Sequence, residues 1–220
     1  MTPPSPLKRY WAIRLARCKR ALEKNRFDVL VADDAQSAGA LFLETVLPAL
    51  DVSVAAWGDS MTLQASGVLS VMQAHPTIRM IDPFDARVSL QERWDRRRQA
   101  LMADLFLTGS NAVTETGMLV NLDMVGNRVA GITFGPKAVV LFIGRNKLTA
   151  TLEGAMRRIK QVAAPANAIR HPDLKTPCIQ TAECTDCSSP DRICNTWCIT
   201  EKSFPNGRIK IILINQDLGL

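Results

Sequence analysis

The run TGSNAVTETGMLVNLDMVGNRVAGITFGPKAVVLFIGRNK, residues 108–147, decides how this chain reads. Its apolar segments, residues 138–143 above all, alternate with the polar clusters SNAVTETG, GNR, GPK and GRNK, and six of the chain's 12 glycines fall inside it. Glycine supplies positive φ or close backbone approach, so two readings compete. One is a series of short β-hairpins whose turns need Gly and Asn. The other is a set of loops folded around a ligand, and the flanking sequence weighs between them.

Upstream, residues 7–26 place Leu7, Trp11, Leu15, Cys18 and Leu22 at steps of three and four, an amphipathic helix with Cys18 as a small buried hydrophobe. FDVLVA (27–32) is a short strand, and Asp33-Asp34 can cap a helix over 35–47 with Leu41, Phe42 and Val46 inward. VSVAAW (52–57) is the next strand, and Asp59 or Ser60 can cap a helix through Met61, Leu63, Val68, Leu69 and Met72 that ends at His75-Pro76. IRMID (78–82) is a third strand; residues 89–105 form a helix with Leu90, Trp94, Leu101 and Leu105 inward and Arg96 to Arg98 outward. Helices alternating with strands predict a parallel, layered α/β sheet. The cluster SNAVTETG then follows a strand end, where open α/β sheets hold their ligands.

Downstream, residues 149–163 predict a helix capped by Thr149 or Thr151, with Leu152, Met156, Ile159 and Val162 inward, Arg157, Arg158 and Lys160 outward, and Ala164-Pro165 as its stop. RIKIILIN (208–215) predicts a late strand that completes the sheet, so residues 167–206 form an excursion within the fold. That excursion holds Cys178, Cys184, Cys187, Cys194 and Cys198. Cys184-x2-Cys187 lets two thiolates chelate one soft ion from a tight turn, and Cys194-x3-Cys198 suits two ligands one helical turn apart. Cys178 is the outlier by spacing. Four thiolates satisfy either zinc or an iron–sulfur cluster, and the spacing does not choose. The compact ferredoxin pattern is absent; disulfides and free thiols are the other readings, and a reducing compartment disfavours the former.

With 47% hydrophobic and 22% charged residues the chain reads as globular, and no apolar run reaches the ~20 residues of a membrane span. The start, MTPPSPLKRYW, has no apolar signal segment, which makes the cytoplasm the expected address. The net charge of +6 concentrates in residues 8–26 and 87–98. Both basic groups lie at helical spacing opposite apolar stripes, without a recognised nucleic-acid-binding module. They read as solvated helix faces, not as a nucleic-acid surface.

The segments TGSNAVTETGMLVNLD, GNRVAG and FGPKAVVLFIGRNKL, the Ala/Arg-rich helix, AAPANA and the late cysteines together resemble the LUD-domain family, the lactate-utilisation-associated proteins. The resemblance runs from about residue 10 to 220, and the Cys-rich end is similar to that of small stand-alone members. It implies a three-layer NagB/RpiA/CoA-transferase-like α/β fold with a mostly parallel sheet, as a single domain over 1–220 carrying a Cys-rich excursion over 167–206. It also implies an accessory or electron-transfer role in lactate-type organic-acid oxidation alongside partner proteins. The metal ligands expected are Cys184, Cys187, Cys194 and Cys198, with Cys178 as the fifth thiol, for an iron–sulfur cluster or zinc. Related CoA-transferases use a glutamate nucleophile, which draws attention to Glu115, although their Gly-rich signature is missing here; a bland role for Glu115 is to pair with Arg128 or Lys137. Asn111, Thr116, Gly117, Asn127, Arg128, Lys137, Asn146 and Lys147 are the expected contacts of a small anionic or phosphorylated ligand, with charge-assisted bonds from Lys and Arg. Three functions remain open: the accessory or electron-transfer subunit, an enzyme on an acyl or phosphorylated molecule with Glu115 central, and a metal-stapled scaffold.

Overall fold

Alternating amphipathic and apolar segments organise the first half of the chain, and the computed structural model, which describes residues 6–220, shows them as a layered α/β fold. The reading attached to the first five residues lies outside the described part. Helix α1 (Pro6–Lys24) buries Leu15, Cys18 and Leu22 on one stripe, while Leu7, expected on the same stripe, stays exposed. Strand β1 (Asp28–Ala32) leads to α2 (Ala35–Leu41), whose N-terminus is closed by the Asp34 side chain accepting from Ser37 N at 2.8 Å. The helix does not continue evenly to residue 47: the backbone widens over Phe42–Val46 and tightens over Leu47–Ala49. Strand β2 (Val54–Trp57) is followed by α3 (Met61–Ala65), capped by Ser60, and α4 (Val68–Gln73); Gly67 separates the two helices at a φ of 73°.

Strand β3 (Arg79–Ile81) precedes α5 (Leu90–Gln99), which departs from expectation. None of its residues is buried, and Leu90 and Trp94 remain exposed. Eight of ten residues in LQERWDRRRQ are charged or amide-bearing. Arg96 ties the helix to the preceding loop, reaching Asp85 at 3.4 Å and Asp82 O at 3.1 Å, and pairs within the helix with Glu92 at 3.0 Å.

The second half supplies β4 (Leu105–Gly109), β5 (Ala112–Thr114), β6 (Leu119–Asp123), α6 (Asn127–Thr133), β7 (Ala138–Gly144), β8 (Leu148–Thr149), α7 (Leu152–Arg158), α8 (Ala164–Ile169), α9 (Cys178–Thr181), β9 (Thr196–Thr200) and β10 (Ile209–Ile214). Six strands pair in the order β1-β10-β7-β4-β2-β3, all parallel. Every residue of β4 and β7 is buried, as continuous apolar runs covered on both faces require. Successive residues of β7 face opposite layers: Val139, Leu141 and Ile143 join the core containing Leu15 and Leu22 of α1, whereas Val140 and Phe142 join that of Phe42, Leu63 and Met72. Helices therefore cover both faces of the sheet, a three-layer α/β architecture.

A smaller sheet, β8-β5-β6-β9, stands beside it, with β5 and β6 forming an antiparallel hairpin. Two expectations are corrected downstream. The helix starting at α7, capped by Thr151, runs through a widened turn at Ile159–Ala163 into α8 without stopping at Pro165. Proline is tolerated there because it occupies the first turn of the renewed helix, where its missing N–H has no intrahelical partner. Val162 consequently rotates out of register and is 51% exposed. The excursion also carries a strand, β9, which the periodicity did not reveal. Among the described residues no helix is long and apolar enough to cross a membrane.

Candidate functional site

Reversal of chain progression opens the principal cleft. After β2 the chain moves outward to β3, and after β4 it moves the other way to β7, so β2 and β4 are neighbours whose connections diverge. Ligand crevices of open α/β sheets form at such a point, beyond the carboxyl ends of the strands. Here a cleft of about 560 Å³ lies over those ends, within the ~300–1,000 Å³ typical of small-molecule sites. Asp59 and Ser60 follow β2, Ser110 and Asn111 follow β4, Asp123 ends β6, and Lys147 follows β7, all lining it. Gly109 is demanded by close approach: a Cβ there would stand 2.5 Å from Ser60 Oγ.

Arg128 on α6 organises one wall. Its Nη1 donates to Gly109 O at 3.0 Å and Asn121 Oδ1 at 2.6 Å; its Nη2 donates to Asn111 Oδ1 at 2.7 Å and Asp123 Oδ1 at 2.5 Å. Asp123 Oδ2 accepts from Val129 N at 3.0 Å, so the base of the hairpin and the start of α6 are tied together. Asn121 Nδ2 is buried and has no partner among the described residues. The Arg128 charge is matched by Asp123, and its geometry is fully committed.

Lys147 is different. It is 5% exposed, and its Nζ donates to Thr62 Oγ1 at 2.9 Å. Burial, then the neighbouring Arg158 and Arg128 guanidiniums, push its amine down to about 7. Arg158, expected to face solvent, instead turns inward and donates to Asn146 O at 2.9 Å and Asn111 O at 2.8 Å; burial lowers it from its usual value. Among the described residues neither Lys147 nor Arg158 has a carboxylate partner. At the cleft's other end Phe84 packs on Trp57 at 4.6 Å and Arg97 lies 5.8 Å from the Phe84 ring, while Arg170 pairs with Asp59 at 3.2 Å.

The expected ligand contacts therefore divide. Asn111, Asn127, Arg128 and Lys147 line the cleft, and Asn146 stands beside it, bonding Gly219 O and Leu218 N of the C-terminal segment at 3.1 and 3.0 Å. Lys137 lies at the opposite end of the sheet, paired with Asp104 at 2.8 Å. Thr116 and Gly117 form the hairpin tip and pack on α1, where Asn25 Nδ2 donates to their carbonyls at 3.3 and 2.9 Å. Glu115, at the same tip, pairs with Arg14 at 2.5 Å and with Arg17, not with Arg128 or Lys137, and does not line the cleft. Thr62, Asp123, Asn121 and Arg158 were not singled out in the sequence. The NLD triplet that holds two of them was visible, but nothing local shows that Arg158 leaves its helix face.

Four thiols, Cys178, Cys184, Cys187 and Cys194, line one small pocket with Arg192 and Ile193. Cys198 does not join them. It lies in β9, opposite Asn121 of β6, with its Sγ 3.4 Å from Thr133 Oγ1, and extended backbone rising about 3.3 Å per residue carries it away from Cys194, where a helical turn would stack the two. All six cysteines are free. The donor types suit a soft metal ion, but among the described residues no group of three or more His, Cys, Asp or Glu has an arrangement that could hold one. Ile193 lines both this pocket and the cleft, and the α8 segment also borders the two: Ala163 and Asn167 face the cleft, Ala164 and Pro165 the thiols.

A three-layer α/β fold with a cation-lined cleft at its strand ends defines the class. The LUD domain model matches residues 15–214, and the chain belongs to that family. A solved structure of a DUF162 family protein from Deinococcus radiodurans is similar at a TM-score of 0.49 and 13% identity, covering 97% of this chain and 100% of that one. No curated protein matches the chain.

Proposed function

We propose that this LUD-domain protein serves lactate-type organic-acid utilisation as an accessory or electron-transfer subunit. It holds a small anionic ligand in the cleft beyond β2, β4 and β7, and a metal or iron–sulfur centre would form where Cys178, Cys184, Cys187 and Cys194, which border one pocket, draw closer together than they stand here. The observation that carries this reading is the shared wall: Ile193 and the α8 segment border both a cation-lined cleft and a pocket bordered by four free thiols. A ligand oxidised or reduced in the first would lie next to a centre in the second, and partner proteins would complete the electron path. When bound, an iron–sulfur centre supplies one-electron chemistry and zinc only cross-links the segment. The chain's own residues orient the anion and exclude water from Lys147. Acyl transfer through Glu115 is no part of this reading, because two guanidiniums hold that carboxylate outside the cleft.

Anaerobic purification followed by iron, zinc and acid-labile sulfide analysis tests it. Iron with sulfide and a visible absorption band is expected. A colourless protein with one equivalent of zinc, or with no metal after reconstitution, removes the electron-transfer role.

A further inference from the structure

A buried amine at the floor of an anion cleft needs an explanation that the fold does not supply. Among the described residues Lys147 Nζ makes one hydrogen bond, to Thr62 Oγ1, and that hydroxyl donates its own proton to Leu218 O at 3.1 Å. The charged groups facing Nζ are Arg158 from α7 and Arg128 from α6. The Asp123 carboxylate behind Arg128 is fully engaged by that guanidinium and by Val129 N, and Asp59, across the cleft, is engaged by Arg170. From the C-terminal segment Gly219 approaches, where a Cβ would stand 3.2 Å from Nζ, and Leu220 with its terminal carboxylate lines the same cleft. An ammonium here has two like charges beside it and, among the described residues, no carboxylate paired with it, which burial makes costly. Supplying an anion from outside reverses that balance.

We propose that the floor of the cleft around Lys147 is an oxyanion subsite for the carboxylate or phosphate group of a small ligand, and that Lys147 takes up one proton from solvent as the anion enters. The inference rests on the cleft reading above and adds the recognised group and its proton stoichiometry. No covalent bond forms or breaks; the proton passes from buffer to Nζ and the anion stays ionised. Thr62 keeps the amine in place, and Arg158 adds the second positive charge. An anion at hydrogen-bond distance favours the ammonium, so anion and proton binding are linked and each strengthens the other. With the free amine near 7, affinity weakens up to about tenfold per pH unit above that point and levels off below it.

Titration calorimetry with L-lactate and with sulfate, each in two buffers of different ionisation enthalpy, measures both quantities on the intact protein. At about pH 8 the uptake should approach one proton per anion bound; at about pH 6 it should fall close to zero, with tighter binding. Lys147→Met should abolish the uptake and weaken binding tenfold or more. Response to lactate alone assigns a carboxylate ligand, response to sulfate alone a phosphate-type one, and either supports the subsite. Binding without proton uptake at about pH 8, or unchanged affinity in Lys147→Met, overturns the proposal and leaves the cleft reading standing. Failure of both anions to bind the unmodified protein at about pH 6 overturns both.

Discussion

Arg128 and Lys147 face the same cleft and make opposite demands on the fold. Arg128 is surrounded by four acceptors, and removing it would leave Asp123, 8% exposed, with only a backbone amide. Breaking a buried pair from one side costs about 3–5 kcal/mol. Arg128→Met should therefore lower the urea-derived unfolding free energy by about that much, and a loss below about 1 kcal/mol would contradict the account of this wall. Lys147 lacks such partners, and its stability effect runs the other way. Its amine falls from 10.5 to about 7 on folding, so between those values the unfolded chain holds a proton that the folded chain lacks. Stability therefore rises with pH across that window, and the full cost of the buried charge is present below it. Lys147→Met should raise Tm most near pH 6, where stability gains a few kcal/mol, and least near pH 10. Equal Tm shifts at both pH values would contradict the burial argument.

At the scale of elements, both readings of residues 108–147 survive in different places. The TETG cluster is a hairpin tip, as the turn reading held, while Asn111 and the NLD triplet at the hairpin's base meet the cleft. GNR opens α6, a helix the alternation of polar and apolar segments concealed because it is only seven residues long. That helix packs through Gly131, where a Cβ would meet the Phe106 ring at 2.9 Å. Gly131→Ala should destabilise by about 1–3 kcal/mol in the same urea titration, the usual cost of overpacking; a gain in stability would mean the helix can move off the sheet. The parallel strands were legible because burial on both faces makes them continuous apolar runs. The thiol partition was not: spacing put Cys198 with Cys194, but ladder pairing with β6 takes Cys198 away, and pairing partners leave no mark in local sequence. If a metal is held, Cys187→Ser should remove most of it while Cys198→Ser retains it. Metal analysis showing the reverse would return the ligand set to the one the spacing suggested.

Over the whole molecule, the site is a consequence of topology. Divergence of the chain at β2 and β4 opens the cleft, and the strand ends, α6, α7 and the C-terminal segment deliver their polar groups to it. Sequence located the region, since Asn111, Arg128 and Lys147 lie in one conspicuous stretch, but Thr62, Arg158 and Asp59 reach the cleft from distant positions that only the assembled sheet brings together. The wall shared with the thiol pocket is likewise a property of the fold, made where α8 and Ile193 pass between them. The central claim is that this cleft receives an anion at Lys147. A crystal structure of the protein soaked with L-lactate or sulfate tests it most directly: an ordered anion within hydrogen-bond distance of Lys147 Nζ is the predicted result, and anions ordered elsewhere on the molecule with none in the cleft would contradict it.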